Sequence, residues 1–129
     1  QVEIFGTDYD TADGTCVRDY VHINDLCSAH ALALDKIVTH QNSGALTYNL
    51  GNGCGFSVKE VIDTVKRVVS ESDCSVAVKY GERRVGDPAV LVADSTKVRR
   101  ELGWCPDYSD LDIIVGHAWA WEQKVGLRG

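Results

Sequence analysis

The chain has 129 residues, with 13 Lys and Arg against 19 Asp and Glu, a net charge of −6. That length carries about one domain's worth of core, and 44% hydrophobic with 25% charged residues excludes an intrinsically disordered chain. The acidic balance argues against nucleic acid as a partner; no apolar run approaches the ~18 residues of a membrane span, so no membrane is expected either.

No methionine occurs. Residues 2–5 already read as a strand with no linker before it, so the sequence is expected to continue a larger protein. Its start lacks the basic residues and apolar stretch of a secretion leader. A cytoplasmic setting is therefore expected, with Cys16, Cys27, Cys54, Cys74 and Cys105 unbridged. These cysteines and the four histidines lack the close pairing of a zinc site.

In chain order, the strand at 2–5 meets an Asp-, Thr- and Gly-rich turn over 6–14. Residues 17–23 alternate as a strand, with Val17, Val21 and Ile23 on one face and Arg18, Tyr20 and His22 on the other. Asn24 or Asp25 suits an N-cap, opening a helix to about residue 40. Leu26, Ala29, Ala33 and Ile37 form one apolar face of that helix, and Cys27, Ala31, Leu34 and Val38 form a second. A helix apolar on two sides is packed on two sides. Residues 46–50 read as a strand. Ser57-x-x-Glu60 is a capping box for a helix carrying Val58, Val61, Ile62, Val65 and Val69. A strand at 75–80, an extended stretch at 90–92 and a short helix from Asp94 or Ser95 to Leu102 follow, closed by Gly103. Ser109 or Asp110 opens a last helix with Leu111, Ile114, Val115, Ala118 and Trp121 inward. The alternation is α/β.

Gly51, Gly53 and Gly55 between strand and helix suggest a dinucleotide fingerprint, and Asp73 lies about 20 residues on, as that motif requires. Phe56 stands in place of the third glycine, however, where close helix–strand contact needs no side chain. The loop therefore reads as a tight connector. Arg18 alone reads as a salt-bridged surface arginine. Arg83, Arg84 and Asp87 sit in a Gly/Pro-bounded loop, where binding residues concentrate. Two arginines from separate segments suit a diphosphate, because guanidinium pairs bidentately with phosphate oxygens. Phe5 offers an aromatic face. Trp104, Trp119 and Trp121 read as packing residues.

Several blocks occur in order along nearly the whole chain: residues 2–11 (VEIFGTDYDT), Asp13-Gly14-Thr15, residues 17–26 (VRDYVHINDL), Tyr48-Asn49-Leu50-Gly51-Asn52-Gly53, Arg83-Arg84-Val85-Gly86-Asp87-Pro88 and Leu102-Gly103-Trp104. Together they resemble the UDP-glucose 4-epimerase family of extended short-chain dehydrogenase/reductases. That resemblance implies an NAD-dependent isomerase interconverting UDP-glucose and UDP-galactose. It implies that Arg18 and Arg84 contact the diphosphate, that Asp87 contacts the ribose, and that Glu3, Ile4 and Phe5 hold the uracil. Tyr20 is a weaker candidate. Leu91 stands where some members carry a sugar-contacting aromatic, which leaves a pentose analogue open as the sugar.

No Tyr-x-x-x-Lys occurs: Tyr9, Tyr20, Tyr48, Tyr80 and Tyr108 all lack a Lys four residues on. Residues 1–129 are thus expected to form the C-terminal, substrate-binding part of such an enzyme, without the N-terminal Rossmann sheet. Residues 17–50 would pack on that missing half. No catalytic residue, metal or bound cofactor is expected in this chain, NAD belonging to the complete enzyme, and alone it is expected to be inactive. The alternative is a self-standing UDP-binding or oligomerising module without catalysis. Either the N-terminal half or a second copy would cover the apolar faces.

Overall fold

The computed structural model describes residues 1–40, 44–70, 72 and 74–126; Asp73 lies outside them. The elements are β1 (Val2–Phe5), β2 (Val17–Arg18), α1 (Ile23–His40), β3 (Phe56–Ser57), α2 (Val58–Val69), β4 (Val78–Gly81), β5 (Val90–Leu91), α3 (Thr96–Leu102) and α4 (Leu111–Gly126). The architecture is α/β, as the alternation predicts. β1 and β4 pair in parallel, Val2 opposite Val78 and Phe5 opposite Gly81. β2 is central in a second sheet, antiparallel to β3 and parallel to β5.

The strand expected over 17–23 ends at Arg18 because side chains take over the backbone's hydrogen bonds. The Asp19 carboxylate accepts from the N–H groups of Asn52 (3.1 Å) and Ala93 (3.2 Å), and Asn52 Nδ2 donates to the Tyr20 carbonyl. α1 then starts at Ile23, two residues earlier than expected. Its cap is neither Asn24 nor Asp25: His22 Nδ1 accepts from the Asn24 N–H at 3.0 Å. Residues 46–50 are not a strand, since no described strand runs beside them.

Asp25 serves a distant segment instead. Its buried carboxylate accepts from the N–H groups of Asp107 (2.9 Å) and Tyr108 (3.1 Å), and its carbonyl accepts from Trp104 Nε1 (2.9 Å). Trp104 packs with Ala29 and Val98 in the core, flanked by Tyr48, Leu50 and Leu102. α2 opens with both halves of the predicted box, Ser57 accepting from the Glu60 N–H and Glu60 accepting from the Ser57 N–H.

α2 packs on α4. Trp119 turns toward Ser72, its Nε1 3.4 Å from the hydroxyl. Trp121 lies two residues on, about 200° around the helix, and is 65% exposed; Ala118, also expected inward, is exposed as well. On α1, Ala29 is buried, while Leu34 (63% exposed), Val38 (70%) and Ile37 lie open. All five cysteines are unbridged. Among the described residues no helix is long and apolar enough to cross a membrane.

Candidate functional site

The two sheets and the β4–β5 loop bring four predicted residues together. Arg18 lies on the central strand of the second sheet, beside Leu91 of β5. One guanidinium nitrogen donates to the Val17 carbonyl at 2.7 Å, and the other donates to Asp87 Oδ1. Arg84 reaches the other oxygen of that carboxylate, Nη2 at 2.8 Å and Nε at 3.2 Å. Its guanidinium carbon also stands 5.0 Å from the centroid of the Phe5 ring. Arg18 and Asp87 are 20% and 15% exposed at their side chains, whereas Arg84 is 62% exposed.

Arg83 takes a different course. Its guanidinium stacks on Tyr9, 4.1 Å from the ring centroid, and bonds the Asp8 carboxylate (2.6 Å) and carbonyl. It fastens the loop on the side away from Asp87, while the Arg84 side chain stays largely exposed. Between Arg84 and Asp87 the chain turns at Gly86 (φ 80°), and the Asp87 N–H donates to the Arg84 carbonyl.

Beneath this clamp the Asp13-Gly14-Thr15 stretch acts as a brace. Asp13 accepts from the Thr15 N–H (2.9 Å), the Thr15 hydroxyl (2.7 Å) and the Ser57 hydroxyl (2.5 Å). The Thr15 hydroxyl in turn accepts from the Lys59 N–H, and the Cys16 carbonyl accepts from the Val58 N–H. The start of β2, and so Arg18, is tied to the N-terminus of α2. Gly14 has φ 78°, and a Cβ there would stand 2.2 Å from the Thr7 carbonyl oxygen, so the turn requires glycine.

Electrostatics follow this geometry. Hydrogen bonds from Arg84, and then from Arg18, hold the Asp87 carboxyl below its ordinary range against the opposing effect of desolvation. Burial pushes the Asp13 carboxyl up, but bonds from Ser57 and Thr15 outweigh it and leave it lowered. Burial pushes the Tyr20 phenol up. The buried Tyr9 hydroxyl has no hydrogen-bond partner among the described residues.

Of the remaining predicted residues, Ile4 has a buried side chain, and Glu3 pairs with Lys79 at 3.2 Å. The Val2 and Gly6 N–H groups donate toward β4. By the alternation of a strand, the backbones of Glu3 and Phe5 face the opposite edge, where no described strand pairs. The Gly51–Gly55 loop is the connector its sequence suggests. A Cβ on Gly51 would meet Asp19 and Ala93, and one on Gly55 would meet Val17 and Val92. These two glycines are used by the close approach of the chain's own Val17, Asp19, Val92 and Ala93. Among the described residues no group of three or more His, Cys, Asp or Glu is placed to hold a metal ion.

Sequence reasoning missed one cluster away from the clamp. His22 stacks on Tyr108, and its Nε2 lies 3.0 Å from His117 Nδ1. His22 Nδ1 accepts the Asn24 N–H, so Nε2 carries the proton and donates to His117. The partners are 95 residues apart, and no local pattern signals the pair.

A family model described as GDP-mannose 4,6 dehydratase matches residues 4–115. A UDP-glucose 4-epimerase of Azospirillum brasilense is 47% identical over 98% of this chain, which spans 36% of that relative's length. A crystal structure of UDP-glucose 4-epimerase superposes with a TM-score of 0.83 at 48% identity, over 96% of this chain and 36% of that one. The UDP-glucose 4-epimerase of Stenotrophomonas maltophila, solved with bound NAD and formylated UDP-arabinopyranose, gives 0.85 at 38% identity, over 100% of this chain and 37% of its own. The chain thus spans about a third of the length of the epimerases it matches.

Proposed function

The chain belongs to the GDP-mannose 4,6 dehydratase family, and from its likeness to UDP-glucose 4-epimerases we propose that it forms the nucleotide-sugar-binding part of such an enzyme. One observation carries the reading: Arg18 and Arg84, from separate segments, converge on a single carboxylate. The two oxygens of Asp87 mark positions that two guanidinium groups satisfy together. A diphosphate offers oxygens of the same kind and greater charge.

The rest of the ligand follows outward from that point. The Phe5 ring gives the uracil an apolar face, and the free backbone edge at Glu3 and Phe5 offers an N–H and a carbonyl to its polar edge. Ile4 lies between them with its side chain buried and its backbone turned to β4, so it positions the strand. Asp87 accepts from the ribose hydroxyls. Leu91, exposed beside Arg18, borders the sugar, which is a hexose, as in UDP-glucose and UDP-galactose, or a pentose analogue.

The redox step belongs to the complete enzyme. NAD would supply hydride transfer there, held outside the Gly51–Gly55 loop, which is filled by Asp19, Ala93, Val17 and Val92. The Tyr-x-x-x-Lys pair that moves protons in this family is not in the sequence. This chain's own residues bind and orient the nucleotide. The open apolar face of α1 (Leu34, Ile37, Val38) supports packing of residues 17–50 on the cofactor-binding half. Titration with UDP by calorimetry tests the proposal: saturable heat supports it, and none at millimolar UDP would refute it. Sedimentation separates the oligomer alternative, which requires a stable dimer or larger.

A further inference from the structure

The arginine that would meet the diphosphate also covers the surface that would meet the base. Arg84 donates twice to Asp87 Oδ2 while its guanidinium sits over Phe5 at 5.0 Å. Both contacts come from one planar head, so neither is released without disturbing the other. Asp87 meanwhile occupies both guanidinium groups and stands in for the anion they would bind.

Resting on the nucleotide-binding reading above, we propose that Arg84 is a specificity-determining gate: it leaves Phe5 and Asp87 in one movement, which a nucleoside diphosphate drives and a nucleoside alone does not. A nucleoside reaching for Phe5 must displace a cation from an aromatic face and offers that cation nothing in return. A nucleoside diphosphate supplies the base for Phe5 and phosphate oxygens for the displaced guanidinium. Asp87, relieved of Arg84, is then free to accept from hydroxyl groups. Arg83 holds the other side of the loop through Tyr9 and Asp8, so the movement is confined to Arg84 and the turn after it. The exposure of the Arg84 side chain leaves it room to swing, and Val85, fully exposed at the loop tip, does not restrain it.

The test is a sign reversal in one variant. With Arg84→Ala, UDP should bind at least tenfold more weakly, while uridine should bind severalfold more tightly because Phe5 is uncovered. Inorganic pyrophosphate gives a second reading: Asp87→Asn should tighten its binding severalfold by releasing both arginines from their internal anion. If wild-type protein binds UDP and Arg84→Ala leaves uridine affinity unchanged or lower, the gate is wrong and the nucleotide-binding reading stands. If wild-type protein does not bind UDP, both fail.

Discussion

Asp87 is held by two arginines of very different origin. Arg84 lies three residues before it on the same loop, and Arg18 lies 69 residues before it on another strand. The carboxylate therefore sets the spacing of the two positive groups and lowers the repulsion between them. It holds the two guanidinium groups together until a diphosphate takes its place.

Removing Arg18 breaks this arrangement at its less exposed end. Arg18→Ala takes away one charge-assisted phosphate contact, and UDP affinity should fall by roughly 10- to 100-fold, the equivalent of about 1.5–3 kcal/mol. Arg18→Lys should recover only part of it, because an ammonium cannot donate to Val17 and to the anion in the same fixed fork. Calorimetric titration of the two variants checks both statements.

The brace beneath the clamp has a pH signature. The folded-state carboxyl of Asp13 titrates below its unfolded value of about 3.9. Its stabilisation is thus fully present above that unfolded value and is lost as pH falls through the lower folded one. Asp87 acts in the same direction. An Asp13→Asn variant should be less stable than wild type at pH 7, with the difference shrinking below about pH 4. Urea unfolding at a series of pH values measures this.

Asp25→Ala should be the most damaging single change away from the site. It leaves the Asp107 and Tyr108 N–H groups without their buried acceptor and should cost about 3 kcal/mol. Asp25→Asn should cost less, since one acceptor oxygen remains. Denaturant unfolding followed by fluorescence, in a background with Trp119→Phe and Trp121→Phe so that Trp104 alone emits, reports the effect at the segment concerned.

These cases show where the sequence was readable. The Ser57–Glu60 box lies within four consecutive positions, so local pattern was enough to find it. The grouping of Arg18, Arg84, Asp87 and Phe5 was legible, because their side chains suit a nucleotide diphosphate and the surrounding blocks resemble a known family; the contacts among the four bear out the grouping. The sharing of one carboxylate was not legible, since it depends on two strands meeting. Asp25 looks like an N-cap because nothing local reveals partners 82 and 83 residues away. The strand over 17–23 was overread because Asp19 and Asn52 supply by side chain what a ladder would supply by backbone. Hydrophobicity alone points Trp121 inward, but Trp119 takes the α2 side and the two cannot share it.

Catalysis gives an independent check on the division of labour. Supplied with NAD and UDP-galactose, the 129-residue chain should form no UDP-glucose, since the sequence lacks a Tyr-x-x-x-Lys pair. Turnover by the purified chain, followed by product chromatography, would contradict its assignment as a binding part alone.

Calorimetric titration of this chain with UDP, beside a variant carrying both Arg18→Ala and Arg84→Ala, tests the nucleotide-binding role most directly. Saturable one-site binding to the wild type and none to the folded double variant is expected. No saturable heat for the wild type up to millimolar UDP, or equal binding by both proteins, would contradict it.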